Sequence, residues 1–145
     1  MNPKPLHIAA ALLTLLAAGC AAKSNKSPVE GQVTIDGQPV AQGTIQFLPL
    51  DGKGQTAGGM IRDGRYSLES SPGEMRVVIS APKVISQRKA YDTPDSPTID
   101  EVQEQLPARY SGPESELRAN VESGQENKAD FMLKIEGGEP PKSVF

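Results

Sequence analysis

Three residue types that carry much of enzyme chemistry are nearly missing from these 145 residues: the chain has one histidine, one cysteine and no tryptophan. The histidine, His7, sits in an apolar N-terminal segment, so nothing after residue 19 can supply an imidazole. Ser–His and Cys–His nucleophile pairs and His-ligated zinc are thereby excluded from that region. A single cysteine rules out an internal disulfide, and a fold must rest on its own core. Neither a Walker A loop nor the dinucleotide-binding glycine fingerprint occurs, and no cofactor is expected. Aromatics are scarce, at 4%. No apolar run reaches the roughly 20 residues that a membrane-spanning helix needs. A strong basic patch is missing too: 15 Lys and Arg stand against 18 Asp and Glu, a net charge of −3. No nucleic-acid partner is expected from that balance.

What is present divides the chain at residue 20. Lys4 gives a basic start, Leu6 to Ala18 is almost wholly apolar, and small residues lead to Cys20. That order is the layout of a secretory signal peptide. Leu16-Ala17-Ala18-Gly19-Cys20 resembles the bacterial lipobox, with Ala17 where the pattern prefers leucine and Leu16 one place further back. The resemblance implies that residues 1–19 are removed and that Cys20 receives acyl chains of the palmitate kind. An ordinary signal peptide followed by a free thiol is the alternative. Two or more chains hold a protein stably to a bilayer, at about 0.8 kcal/mol per buried CH₂. The membrane is therefore an expected partner, reached through Cys20, with a tether over residues 20–27. Ala21, where aspartate would imply inner-membrane retention, favours the outer membrane of the cell envelope by the same resemblance. Loss of Lys4 takes the net charge from −3 to about −4.

From Pro28 onward the apolar residues alternate with polar ones, the period of a half-buried strand. Val29, Gly31, Val33 and Ile35 share one face. Ile45 and Phe47 follow, then Ala57, Gly59 and Ile61, a strand from Tyr66, and then Met75, Val77, Ile79 and Ala81. Late in the chain come Leu117, Ala119 and Val121, and then Ala129, Phe131, Leu133 and Ile135. Asp36-Gly37 and Asp63-Gly64 are tight-turn signals between them. Residues 83–112 break the rhythm and read as an irregular insert. Thr98 to Leu106 fits one or two helical turns, with Thr98 and Glu101 as a capping pair and Ile99, Val102 and Leu106 at helical spacing. Residues 137–145 read as a flexible tail. The pattern predicts an all-β domain over residues 28–136, an antiparallel sandwich of about seven strands and Greek-key type.

The run from Val29 to Val40, VEGQVTIDGQPV, resembles the opening of carboxypeptidase regulatory-like domains. Gly43 to Phe47, Asp63 to Tyr66 and Pro72 to Ile79 are similar to their later motifs, with Met75 in place of the usual aromatic. Leu106 to Ser111 and Gly124 to Leu133 also look like short bacterial lipoproteins that carry this single domain. The resemblance implies a transthyretin-like or Ig-like sandwich. It implies no activity, because such domains accompany a catalytic domain elsewhere and none is present here.

No enzyme is expected, and no metal site. Asp36, Asp51 and Asp63 each precede glycine in a turn. Turn chemistry accounts for them, with a calcium site as the rarer alternative. The acidic group Asp92, Asp95, Asp100, Glu101 and Glu104 reads as a solvated loop, with cation binding as the alternative. Phe47 and Phe131 are expected in the core; Tyr66 follows a hairpin turn, with the core the favoured place and an exposed contact position the alternative. Tyr91, Tyr110 and Arg109 flank or lie in the insert and are the candidate contact surface. The alternative for the two tyrosines is that they pin the insert to the sandwich. The expected role is a non-catalytic binding or protein-interaction module, with envelope proteins or glycans as partners. A purely structural envelope component and a carbohydrate- or calcium-binding module are the alternatives.

Overall fold

The computed structural model describes residues 25–135. The signal segment, Cys20, most of the tether and the tail lie outside the described residues. Eleven strands and one short helix follow in chain order. They are β1 (Ser27–Ile35), β2 (Gln38–Pro39), β3 (Gln42–Pro49), β4 (Ala57–Arg62), β5 (Arg65–Ser70), β6 (Gly73–Ser80), β7 (Pro82–Lys89), β8 (Thr98–Glu104), α1 (Ala108–Ser111), β9 (Leu117–Val121), β10 (Asn127–Lys128) and β11 (Phe131–Leu133). The seven strands expected from alternation are β1, β3, β4, β5, β6, β9 and β11.

Pairing runs β10–β1–β5–β4–β3–β6–β9, with β2 and β11 also on β1. The order β6–β3–β4–β5 is that of a Greek key. Neighbours are antiparallel except for β10 and β11, which run parallel to β1. Within β4 and β5 only Arg62 and Arg65 form a register pair, so the path curls at that hairpin. Its two arms then pack face to face around the apolar side chains, a sandwich-like all-β fold. Phe47 of one arm meets Tyr66 of the other at 6.2 Å between ring centroids, and Tyr66 meets Phe131 at 6.4 Å.

Local chemistry places the bends. Asp36 and Gly37, and again Asp63 and Gly64, have positive φ, from 49° to 82°. Two successive left-handed residues make the hairpin turn whose twist matches the strands, and Asp-Gly is the pair that adopts it most readily. Gly31 serves a different need. A Cβ there would lie 1.8 Å from the Ala129 carbonyl oxygen. That close approach lets the Ala129 amide donate to the Glu30 carbonyl at 2.9 Å.

The inward faces read from sequence are buried in β1, β3, β6 and β9, except that Ile35 at the end of β1 is half-buried. Tyr66 is buried as well, and its hydroxyl donates to the Ala129 carbonyl at 2.7 Å. Burial, with the charge of Asp130 adding to it, pushes the Tyr66 phenol well above its ordinary pKa. Ile135 departs from its expected place. The last strand ends at Leu133, and Ile135 is 42% exposed.

Two readings of residues 83–112 are overturned. Thr98 to Glu104 is a strand and not a helix, and it pairs with β7 in a two-stranded antiparallel sheet. Leu106 is buried at 5% exposure, while Ile99 and Val102 stay in solvent, so the helical spacing of the three gives no common face. The segment is therefore no irregular insert but a β-ribbon, followed by α1, which returns the chain to the core.

Candidate functional site: an exposed ribbon and its root

The ribbon begins where β6 ends. Ala81 is fully buried, and Pro82 carries the chain out of the core. Every residue of β7 is exposed, and so is every residue of β8 except Glu101, which is half-buried. At about 3.3 Å per residue, the eight residues of β7 reach roughly 25 Å. A two-stranded sheet is marginal by itself, so its root and its cross-strand pairs matter.

Glu104 holds the root. Its carboxylate accepts hydrogen bonds from the Ser80 hydroxyl at 2.6 Å, the Ala81 amide at 2.9 Å and the Leu106 amide at 3.0 Å. Gln105 returns one, its side-chain amide donating to the Ala81 carbonyl at 2.9 Å. Partial desolvation would raise the Glu104 pKa, but the hydrogen bonds to its charged form outweigh that and hold it below the ordinary carboxylate value. Further out, Gln87 donates to Asp100 at 2.6 Å, and Arg88 pairs with Glu101 at 3.0 Å.

The register assigns faces. Val84 sits opposite Val102, with Gln87 and Asp100 on the same side, while Ser86, Arg88, Ile99 and Glu101 share the other. A bulge at Ile85 interrupts the ladder. Pro82, Lys83, the bulge and Lys89 all lie on β7. Proline, lysine and bulges are the devices that blunt a strand edge against further pairing. The surface on offer is therefore the side chains of the two faces. Val84, Ile85, Ile99 and Val102 are exposed apolar groups set among charges.

The residues expected to form a contact surface are not brought together. Tyr91 stands in the loop at the ribbon tip, 69% exposed, with its amide donating to the Ser96 hydroxyl at 2.7 Å. Tyr110 is fully buried within α1, so its side chain belongs to the core and not to a surface. The fixed turn of α1 drives that ring inward, and the Tyr110 hydroxyl is left without a hydrogen-bond partner. Arg109 is half-buried, its guanidinium carbon 4.9 Å from the Tyr110 ring centroid and one nitrogen donating to the Lys134 carbonyl at 3.2 Å. It staples α1 to the chain after β11. Cys20 lies outside the described residues.

Among the described residues, no three carboxylates or other metal-ligating side chains converge. Asp36 and Asp63 occupy turn positions, and Asp51 caps its loop by accepting the Lys53 amide at 2.8 Å. Also among the described residues, no helix is long and apolar enough to cross a membrane. The Glu104 clamp escaped the sequence reading. Its only signal was an acidic residue three positions ahead of a proline, which does not separate a clamp from a solvated charge.

No family model matches the chain, and no curated protein matches it. Among solved structures, a 9R-lipoxygenase from Cyanothece is similar at 10% identity and a TM-score of 0.35, over 76% of this chain and 16% of that one. The chain thus spans about a sixth of that protein's length, and the likeness is too slight to carry an argument.

Proposed function

We propose that the chain is a non-catalytic lipoprotein of the bacterial envelope, a carboxypeptidase regulatory-like sandwich anchored through Cys20, whose β7–β8 ribbon engages another envelope protein. One observation carries the interaction half. Four exposed large aliphatic side chains, Val84, Ile85, Ile99 and Val102, gather on one two-stranded ribbon, while outside it Leu50, Met60, Met132 and Ile135 are exposed and the sandwich strands bury their inward faces. Exposed apolar groups framed by charge are the usual make-up of a protein contact, and blunted edges direct that contact to side chains rather than to strand addition. The lipobox-like Leu16 to Cys20 carries the anchoring half. Ala21 after the cysteine favours the outer membrane.

The test has two arms. Radiolabelled palmitate should enter the protein in growing cells and be lost in Cys20→Ala. A photo-crosslinking residue at position 102 should give a discrete protein adduct that disappears when Val84, Ile85 and Ile99 are replaced by serine. Those replacements spare Glu104, Leu106 and Tyr110, which the sandwich needs. Absence of label, or the same adducts from a probe at Met60 on β4, outside the ribbon, would defeat the proposal.

A further inference from the structure

A second surface lies on the outer side of the β10–β1–β5–β4 arm. The register aligns two rows across it. Gln32 stands opposite Arg65, and Arg65 opposite Arg62. One step along, Lys128 stands beside Glu30, and Glu30 opposite Ser67. With Met60 these side chains line an open depression of about 590 Å³. Arg62 and Arg65 face each other directly across the tight Asp63-Gly64 turn, and like charges so placed destabilise a strand pair. Among the described residues, neither guanidinium has a hydrogen-bond or ion-pair partner. Lys128 pairs with Asp130 at 3.7 Å, and the same Asp130 accepts the Gln32 amide at 2.8 Å. Glu30 is the carboxylate within the lining.

We infer that this depression binds a small polyhydroxylated oxyanion, a sugar bearing a carboxylate or a phosphate. The two planar guanidinium forks match the oxygen spacing of either group and donate to it bidentately. Ser67, Gln32 and Glu30 lie alongside as hydrogen-bond partners for hydroxyls. The volume falls within the range of small-molecule sites. An anion between Arg62 and Arg65 also removes the repulsion built into the hairpin, so binding stabilises the fold. This site is separate from the ribbon and does not rest on it.

Glucuronate, glucose 6-phosphate and neutral glucose serve as probes, titrated by calorimetry into the full chain in neutral detergent at constant ionic strength. Both anions should bind saturably and raise the melting temperature, and glucose should do neither. Arg65→Gln should weaken anion binding at least about tenfold, the loss of roughly one charge-assisted pair. Its ligand-free melting temperature should hold or rise, because a like-charge contact is gone. Glu30→Gln should move affinity the other way, tightening it. Micelles doped with phosphatidylglycerol rather than phosphatidylcholine identify the source. Competition with glucuronate assigns the oxyanion to a lipid headgroup, and its absence to a soluble ligand. No saturable binding of either anion, or unchanged affinity in Arg65→Gln, overturns the inference.

Discussion

In β6, Met75, Val77 and Ile79 are at most 1% exposed, whereas in β7, beginning two residues later, no side chain is buried. The same backbone hydrogen-bonding pattern serves both. The sandwich strands draw their stability from the layer of side chains they close against. The ribbon has no such layer and relies on Glu104 at its root and a few polar pairs along its length. The first region is built to be insensitive to solvent. The second opens at low free-energy cost and holds its apolar groups where a partner can reach them.

Substitutions can break that contrast. The largest effect is expected from Phe47→Ala, which removes a fully buried ring and should cost about 3–5 kcal/mol in chemical denaturation. Val102→Ser, at 60% exposure, should change stability by less than about 0.5 kcal/mol. Similar losses at the two sites would mean that the ribbon packs on something and that the distinction is false. Next in size is Tyr66→Phe. It leaves the Ala129 carbonyl without its side-chain donor and should cost about 1–2 kcal/mol. The raised pKa of Tyr66 adds a pH signature. Stability from the neutral phenol is complete below the unfolded value of 10.0 and declines as pH rises beyond it. Melting curves of Tyr66→Phe should lose part of that alkaline decline.

Smaller still is the effect of Glu104→Gln, which sharpens the comparison because it acts at the junction. The Glu104 pKa lies below the unfolded value of 4.5. Its contribution is therefore present above pH 4.5 and fades as pH falls through the folded value. The variant should lose amide protection in β7 and β8 at neutral pH by hydrogen exchange, while β3 and β6 keep theirs. As pH falls below 4.5, wild type should approach the variant. The smallest expected change is Tyr110→Phe. Its hydroxyl is buried without a partner, so removal should leave the melting temperature unchanged or slightly higher.

What could be read in advance follows the same division. β1, β3, β6 and β9 each show one face to the core and one to water, and that asymmetry writes period-two alternation into the sequence. β8 has no buried face, so nothing constrains its residues to alternate. Ile99, Val102 and Leu106 then fell by composition at helical spacing, with Thr98 and Glu101 mimicking a cap. The ring of Tyr110 could not be placed either, because its neighbours in the core are distant in sequence and only α1 turns it inward. The arginine row was half visible: Arg62 and Arg65 flank an obvious turn, but Gln32 joins them across the antiparallel β1–β5 ladder, and Lys128 only through a parallel pairing with Glu30, about a hundred positions away.

β1 carries one more consequence. It is hydrogen-bonded to β5 along one side and to β10 and β11 along the other, and Ser27 at its start is where a lipid tether would join. Tension from the membrane would enter lengthwise along this strand and be shared by both ladders at once, rather than peeling rungs apart singly. The strand at which such a tether would pull is thus the one braced on both sides.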